Sequence, residues 1–166
     1  EIGALAAWSP SEVAWLEPYI AKEYPQIFKE STISVKAVSA VRTFWEKATI
    51  LHHEANRPQE SQMPRRYARH YYDMYCLANS VHKDRAFEQL HLLEKVAQFK
   101  DKFYPRKWAK YDEATPAKIK LLPEHYRYEA LKNDYEQMEE MFMGISPEFD
   151  DVMDTIRTLE KEIHRL

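Results

Sequence analysis

Apolar residues recur every three or four positions through most of the chain, and this spacing predicts amphipathic helices. The clearest stripe begins after Ser39 and contains Val41, Phe44, Trp45, Ala48, Leu51 and Ala55. A second contains Tyr67, His70, Tyr71, Met74, Leu77 and Ala78, and a third, over roughly Lys83–Lys102, contains Phe87, Leu90, Leu93, Val96, Ala97 and Phe99. Two further helices are predicted over about Glu124–Phe142 and Pro147–His164, with Gly144 as a C-cap between them.

Strand-like patterns are confined to the N-terminal part of the chain. In Ser31–Ser39 every second residue from Ile33 to Ala37 is apolar, which predicts one strand. Glu1–Ala7 is short and apolar, and it is consistent with a strand that needs a partner. The segment "SPSEV" fits a short helix or an extended arm equally well. The predicted fold is therefore mainly α (α+β), a helical, bundle-like body with a short N-terminal strand pair.

Composition narrows the classes of function. The 166 residues include two glycines, which leaves little room for tight hairpins or phosphate-cradling loops. The formal net charge of −3 provides no bulk attraction to nucleic acid or anionic lipid. Cys76, the single cysteine, cannot form an internal disulfide, and the sequence has no membrane-length apolar run. These features predict a cytoplasmic protein with no membrane partner.

Four charged residues lie off the apolar stripes. On a helical projection Arg66, Arg69 and Asp73 fall on nearly one face, and Lys47 lies beside the stripe of the preceding helix. If the two helices pack through their stripes, these cations and one carboxylate come together in an arrangement suited to a polyphosphate. The alternative is that Arg69 and Asp73 are an ordinary i,i+4 pair worth at most about 0.5 kcal/mol. Spacing alone favours this alternative.

The histidines and the cysteine offer weaker signals. His52, His53 and His70 are not accompanied by an HExxH or Cys/His framework, so no metal-ligating residue is predicted. His70 is predicted to be a histidine at the edge of the core with a satisfied nitrogen. Cys76 has no neighbouring catalytic pattern, and it is predicted to be a small buried apolar residue.

The segments "RTFWEKATILHHEANRP" and "RRYARHYYDMYCLA" resemble the C-terminal half of the AbiEii/AbiGii abortive-infection nucleotidyltransferase toxins of type IV toxin–antitoxin systems. The resemblance extends through "EIGA", "EPYIAKEYPQIF", "YDEATPAKIKLLPEH" and "NDYEQMEEMFMG", so it covers nearly the whole chain. It implies the C-terminal part of a polymerase-β-like enzyme that transfers a nucleotide from an NTP, with Mg²⁺, to an RNA acceptor. The implied acceptor is the end of tRNA, and the implied protein partner is an antitoxin.

The resemblance also implies roles for individual residues. The family's lysine in an "EK" helix falls on Lys47, which is implied to contact the triphosphate. The aspartate of its "R-x-x-x-D" helix falls on Asp73, implied to orient the reacting group or to act as a general base. Arg66 and Arg69 would add charge for nucleotide binding. These assignments make the simple ion-pair alternative less favoured for Lys47 and Asp73.

The chain departs from the family's pattern in its catalytic carboxylates. Members carry a glycine-pair or glycine-serine loop and an Asp-x-Asp pair that holds two metal ions, and this sequence contains neither. Leu5 also stands where the family usually has an arginine. We therefore expect residues 1–38 to complete a missing N-terminal nucleotidyltransferase domain and residues 39–166 to form a helical C-terminal domain. The chain alone is expected to be inactive and to bind neither Mg²⁺ nor NTP tightly.

A second class of function stays open. The chain could be a non-catalytic helical interaction module, for instance a decayed toxin half that binds its antitoxin. A glycine loop with Asp-x-Asp encoded upstream, within about one domain's length, would favour the enzyme. A start codon close to Glu1 would favour the module. The sequence does not choose a nucleotide or an oligomeric state.

Overall fold

The computed structural model describes residues 9–142 and 146–166. The elements in chain order are β1 (Ser11–Leu16), α1 (Tyr19–Glu23), β2 (Ile33–Val38), α2 (Ala40–Ala55), α3 (Arg69–Ala78), α4 (His82–Phe87), α5 (His91–Phe103), α6 (Tyr128–Glu136) and α7 (Phe149–Ile163). Short 3-10 helices lie at Pro25–Ile27, Lys107–Ala109, Tyr111–Glu113, His125–Arg127 and Glu139–Met141. The predicted fold class is confirmed: the chain is mainly α, with a two-stranded antiparallel sheet near its N-terminus. It divides into two compact units, Glu1–Ser39 and Ala40–Leu166.

The first unit contains the sheet. β1 pairs with β2 from Ser11 opposite Val38 to Leu16 opposite Ile33, so the strand predicted within Ser31–Ser39 is present. The partner strand includes part of the segment "SPSEV", for which a short helix had equal weight. Helix was wrong there because backbone bonds to β2, more than twenty residues away in sequence, outweigh a local N-cap signal. The predicted Glu1–Ala7 strand and the Gly144 cap lie outside the described residues.

The second unit buries the predicted stripes in one core. Its fully buried side chains include Phe44, Trp45, Ala48 and Leu51 of α2, Tyr71 and Met74 of α3, Leu131 of α6, and Val152 and Ile156 of α7. α2 packs against α3, α4 and α5, while α3 also packs against α7. The perpendicular rings of Phe44 and Trp45 lie 4.9 Å apart. None of the helices within the described ranges has the length and apolarity that crossing a membrane requires.

The third predicted helix is two helices, α4 and α5. Between them Gln89 N–H donates to the Ala86 carbonyl at 3.0 Å and Leu92 N–H to the Gln89 carbonyl at 2.9 Å, a tight turn in place of helical bonds. The Ala86 carbonyl also accepts the indole N–H of Trp45 at 3.2 Å. This tertiary bond satisfies a buried polar group, which explains why a break occurs without glycine or proline.

The predicted helix over Glu124–Phe142 is regular in α6, with 3-10 turns on both sides. The C-terminal prediction is close, since α7 covers most of Pro147–His164. Its first turn carries Asp150 and Asp151, which suit the positive end of the helix dipole.

His52 ties the irregular segment after α5 to the middle of the core. Its Nδ1 accepts the N–H of Lys120 at 3.0 Å, so Nε2 carries the proton and donates to the Lys110 carbonyl at 2.9 Å. Burial is the largest effect on its pKa and lowers it from 6.5, while the hydrogen bond to the Lys110 carbonyl and the charge of Glu113 act in the opposite direction. His52 is therefore a neutral structural bridge.

Replacing Trp45 with alanine should lower the free energy of unfolding by about 3–5 kcal/mol, because the side chain is 0% exposed and leaves a cavity. The matched control is Trp15→Ala in β1, where the indole is 70% exposed. We expect that change to cost less than about 0.5 kcal/mol in the same urea titration, followed by helical circular dichroism. Equal costs for both variants would contradict the described core.

His52→Leu should destabilise the chain and flatten its acid sensitivity. At pH 7 it leaves the Lys120 N–H unpaired, which costs about 1–3 kcal/mol. In the native protein the unfolded chain binds a proton near pH 6.5 that folded His52 resists, so the free energy of unfolding falls as pH drops below this value. That slope reaches up to about 1.4 kcal/mol per pH unit for one histidine, and the variant should lose it.

Urea titrations at several pH values between 7 and 5 measure this slope. Exposed His125→Leu is the matched control for loss of an imidazole, and it should change the free energy of unfolding at pH 7 by less than about 0.5 kcal/mol. A His52→Leu slope as steep as the native one would contradict the assignment.

Candidate functional site

Lys47 and Asp73 meet at the edge of the interface between α2 and α3. Lys47 Nζ donates to Asp73 Oδ2 at 2.7 Å. The two side chains remain 17% and 38% exposed, so they can be approached from solvent. The packing of the two helices through their apolar stripes produces this contact, as the sequence predicts.

His70 is the third member of this group. Its Nδ1 lies 3.4 Å from Lys47 Nζ, and it is one turn before Asp73 on α3. Burial, then the charges of Lys47 and Arg69, lower the pKa of His70 to about 3. The imidazole is therefore neutral at pH 7, and Nδ1 accepts a hydrogen bond from the ammonium. The prediction of a core-edge histidine with a satisfied nitrogen is confirmed.

Arg66 does not share a helical face with Arg69 and Asp73, so that prediction is wrong. α3 begins at Arg69, and Arg66 lies in the preceding turn with a φ of 59°. The carboxylate of Asp134, on α6, accepts the N–H of Arg66 at 2.7 Å and that of Ala68 at 2.8 Å. These bonds hold the backbone in a turn and prevent α3 from starting earlier. Arg66 points its charge to solvent from outside the helix.

Arg69 is exposed at the first position of α3, next to His70. The carboxylate of Asp73 forms its ion pair with Lys47 of α2. The i,i+4 pairing of Arg69 with Asp73, favoured by spacing alone, is not the contact that this carboxylate makes. Arg69 nevertheless adds positive charge beside the group, because its charge lowers the pKa of His70.

Lys100 of α5 is a cation that the sequence reasoning missed. Its Nζ donates to the Glu46 carbonyl at 2.9 Å. Burial lowers its pKa to about 7, and the charges of Lys47 and Arg42 act in the same direction while Glu46 opposes them. The signal was available, because Lys100 follows Val96 by four residues on the buried stripe, where lysines are rare.

Arg42, on α2, is a further cation close to Lys100. Its Nε donates to Glu46 Oε1 at 2.8 Å, and its side chain is 4% exposed.

We call Lys47, His70, Asp73, Arg69 and Lys100 the lysine site. Around it the four cations Arg42, Lys47, Arg69 and Lys100 face the two carboxylates of Glu46 and Asp73. This excess of positive charge favours an anion such as a phosphate group.

The described residues are poorly suited to metal ions. In the two ranges that the structure covers, no three His, Cys, Asp or Glu side chains are grouped so that they could hold one. Asp73 supplies one carboxylate to the lysine site, and Lys47 already neutralises it. The two Mg²⁺ ions of nucleotidyl transfer need several carboxylate oxygens, so these residues do not fit that pair of ions.

Cys76 and His53 are not members of the lysine site. Cys76 is exposed, so its predicted burial is wrong: it lies on the opposite side of α3 from the buried Met74 and Ala78. His53 Nδ1 lies 3.1 Å from the Tyr111 hydroxyl. Burial, with the charge of Arg57, lowers the pKa of His53 to about 4, so this ring is also neutral at pH 7.

Comparison of the sequence with known protein families gives a match. A family model described as nucleotidyl transferase AbiEii toxin, type IV toxin–antitoxin system, matches residues 1–155 of the 166. No curated protein and no solved structure matches the chain. The match includes α2 and α3, with Lys47 and Asp73, and confirms the resemblance carried by their sequences. The chain belongs to the AbiEii nucleotidyl transferase toxin family of type IV toxin–antitoxin systems.

Proposed function

We propose that residues 39–166 form the triphosphate-binding part of a nucleotidyltransferase toxin, in which Lys47 contacts the NTP and Asp73 orients the reacting group. The observation that carries this proposal is the 2.7 Å contact between Lys47 and Asp73 on an exposed edge with excess positive charge. In phosphoryl transfer the protein contributes mainly positioning and electrostatic stabilisation. A fixed lysine beside one carboxylate can supply both.

The hydrogen bonds of Lys47 support its proposed role. An ammonium has three N–H donors, and Asp73 and His70 accept two of them. The third can be donated to a phosphate oxygen without breaking either contact. The side chain would thus be ordered before the nucleotide binds, which reduces the entropy lost on binding.

The two carboxylate oxygens of Asp73 can likewise make separate contacts. Oδ2 is held by Lys47, which leaves Oδ1 to accept a hydrogen bond from the hydroxyl of an acceptor. A carboxylate in this position could orient that hydroxyl or take its proton. Arg69 and Lys100 would stabilise the negative charge of the phosphates, and Arg66 would act at longer range from its turn.

We further propose that residues 1–38 complete the N-terminal nucleotidyltransferase domain, which would supply the carboxylates for Mg²⁺. A two-stranded sheet is marginally stable alone, and Val13, Trp15 and Ile33 of this sheet are exposed large apolar residues. Such side chains favour packing against further protein. The complete toxin would use NTP and Mg²⁺ in the cytoplasm, with tRNA as acceptor and an antitoxin as partner, while the present chain would bind nucleotide weakly.

Lys47→Ala and Asp73→Asn in the complete toxin should each lower nucleotide transfer by about 10²–10³-fold, because each removes a contact made in the transition state. The measurement is transfer of labelled NTP to total tRNA, with thermal melting of each variant. Both residues are partly exposed, so melting should change little.

Lys83→Ala is the matched control. Lys83 forms a 3.0 Å ion pair with Glu162 between two helices at similar exposure, but it lies away from the lysine site. It should melt like the Lys47 variant and keep full transfer. Wild-type transfer by a well-folded Lys47→Ala variant would refute the assignment of Lys47, whereas absence of transfer by the native complete toxin would favour a non-catalytic interaction module.

Lys100 should make NTP binding depend on pH. Its pKa is about 7, so it carries its charge below this pH and loses it above. Affinity for ATP should fall by up to about tenfold between pH 6 and pH 8 as that charge is lost. Lys100→Arg keeps a charge throughout this range, and its binding should be flatter.

Isothermal titration calorimetry of the complete toxin with ATP at each pH measures both proteins. Protonation of ATP itself affects them equally, so the difference between them reports on Lys100. Identical pH profiles for the two proteins would contradict a role for Lys100 in binding.

A further inference from the structure

Cations and aromatic rings are interspersed at the C-terminal end of α5 and in the segment that follows. Residues 100–110 read "KDKFYPRKWAK", with five lysines and arginines against one aspartate, a local formal charge of +4 in a chain of −3. Lys102, Arg106 and Lys107 are exposed, and the ring of Phe103 is 44% exposed. We call Lys102, Phe103, Arg106, Lys107 and Trp108 the α5-terminal surface.

Trp108 is held in place from two sides. Its ring lies edge-on to that of His53 at 4.5 Å between centroids, which anchors it to α2. The guanidinium carbons of Arg57 and Arg106 lie 4.9 and 5.8 Å from its centre. Arg57 is itself fixed by Glu54 at 2.8 Å. Arg106 is thus an exposed, planar cation beside an oriented indole, an arrangement suited to stacking a nucleobase.

The α5-terminal surface is connected to the lysine site through Lys100 and α2. Lys100 donates to the Glu46 carbonyl, next to Lys47, and its charge also acts on His53. Glu46 and His53 are seven residues apart on one face of α2, a separation of about 10 Å along the helix. A short single strand can cover this span with its phosphates close to cations throughout.

We propose that the α5-terminal surface binds the single-stranded end of the RNA acceptor and directs it toward Lys47 and Asp73. This inference rests on the proposed transferase function. Its cations would neutralise phosphates, which accounts for affinity. Phe103 and the Arg106 guanidinium would stack with unpaired bases, which a duplex does not expose. The surface therefore selects single strands over duplex RNA, with little dependence on sequence.

Fluorescence anisotropy of the chain with a labelled single-stranded RNA of about 12 nucleotides tests the surface directly. Arg106→Ala combined with Lys107→Ala should weaken binding and reduce the dependence of log K on log salt by about 1.4, the value for two lost phosphate contacts. Phe103→Ala should weaken binding about fivefold or more at unchanged salt dependence. Phe103→Tyr keeps the stacking face and should bind like the native chain.

The matched control removes the same two charges elsewhere. Lys118 and Lys161 are exposed lysines outside the α5-terminal surface, and their double alanine variant should keep native affinity. Thermal melting confirms that each variant is folded. Native affinity in the Arg106/Lys107 variant, or an equal loss in the control, would overturn the proposal. Equal affinity of the native chain for single-stranded RNA and for a duplex of the same length would also overturn it.

RNA binding is measured without NTP, so its result is independent of transfer. In the complete toxin, the Arg106/Lys107 variant should raise KM for tRNA and retain kcat. Absence of transfer by the native toxin, with RNA binding as described, would refute the proposed function and leave the surface standing. Transfer with an unchanged KM in the variant would refute the surface alone.

Discussion

Burial of α2 among α3, α4 and α5 determines where the charged groups of this protein lie. Phe44, Trp45, Ala48 and Leu51 are excluded from solvent, so the helix can neither rotate nor slide without exposing large apolar area. The fixed orientation of α2 about its axis places Lys47 at the edge toward α3 and the Glu46 carbonyl toward Lys100. The lysine site is thus positioned by the core, which explains how polar side chains near the surface can be held in one arrangement.

Holding several cations together has an energetic cost that the fold offsets by hydrogen bonding. Partly buried ammonium and guanidinium groups lose hydration and repel each other. Each has a fixed acceptor: Lys100 a backbone carbonyl, Arg42 the Glu46 carboxylate, and Lys47 both Asp73 and His70. For Lys100 the compensation is incomplete, because its pKa remains lowered to about 7. Binding an anion would relieve this unfavourable interaction.

Local spacing predicted those parts of the fold that depend on local geometry. The stripes of α2 and α3 follow from 3.6 residues per turn, and their packing brings Lys47 to Asp73. Asp134, more than sixty residues from Arg66, sets the start of α3, and no pattern near Arg66 contains that information. The break between α4 and α5 likewise depends on the indole of Trp45, on another helix. Sequence reasoning failed where a distant partner captures backbone groups.

The same contrast between local patterns and distant contacts applies to the candidate site. Lys47 and Asp73 lie beside apolar stripes, so helix geometry and the family resemblance could identify them. Lys100 reaches the site only through its contact with the Glu46 carbonyl of another helix, which no pattern around Lys100 reveals.

The charge balance of the lysine site limits what else it can bind. Cations outnumber carboxylates, and Asp73 is already paired with Lys47, so the charge balance favours an anion over a free divalent cation. Carboxylates for Mg²⁺ are therefore expected on a different element, facing the lysine site across the nucleotide. In that arrangement the triphosphate lies between a group of cations and a group of carboxylates. Within each group the like charges repel one another. For the proposed RNA acceptor the same reasoning favours the cationic side, because its phosphates would be repelled by clustered carboxylates.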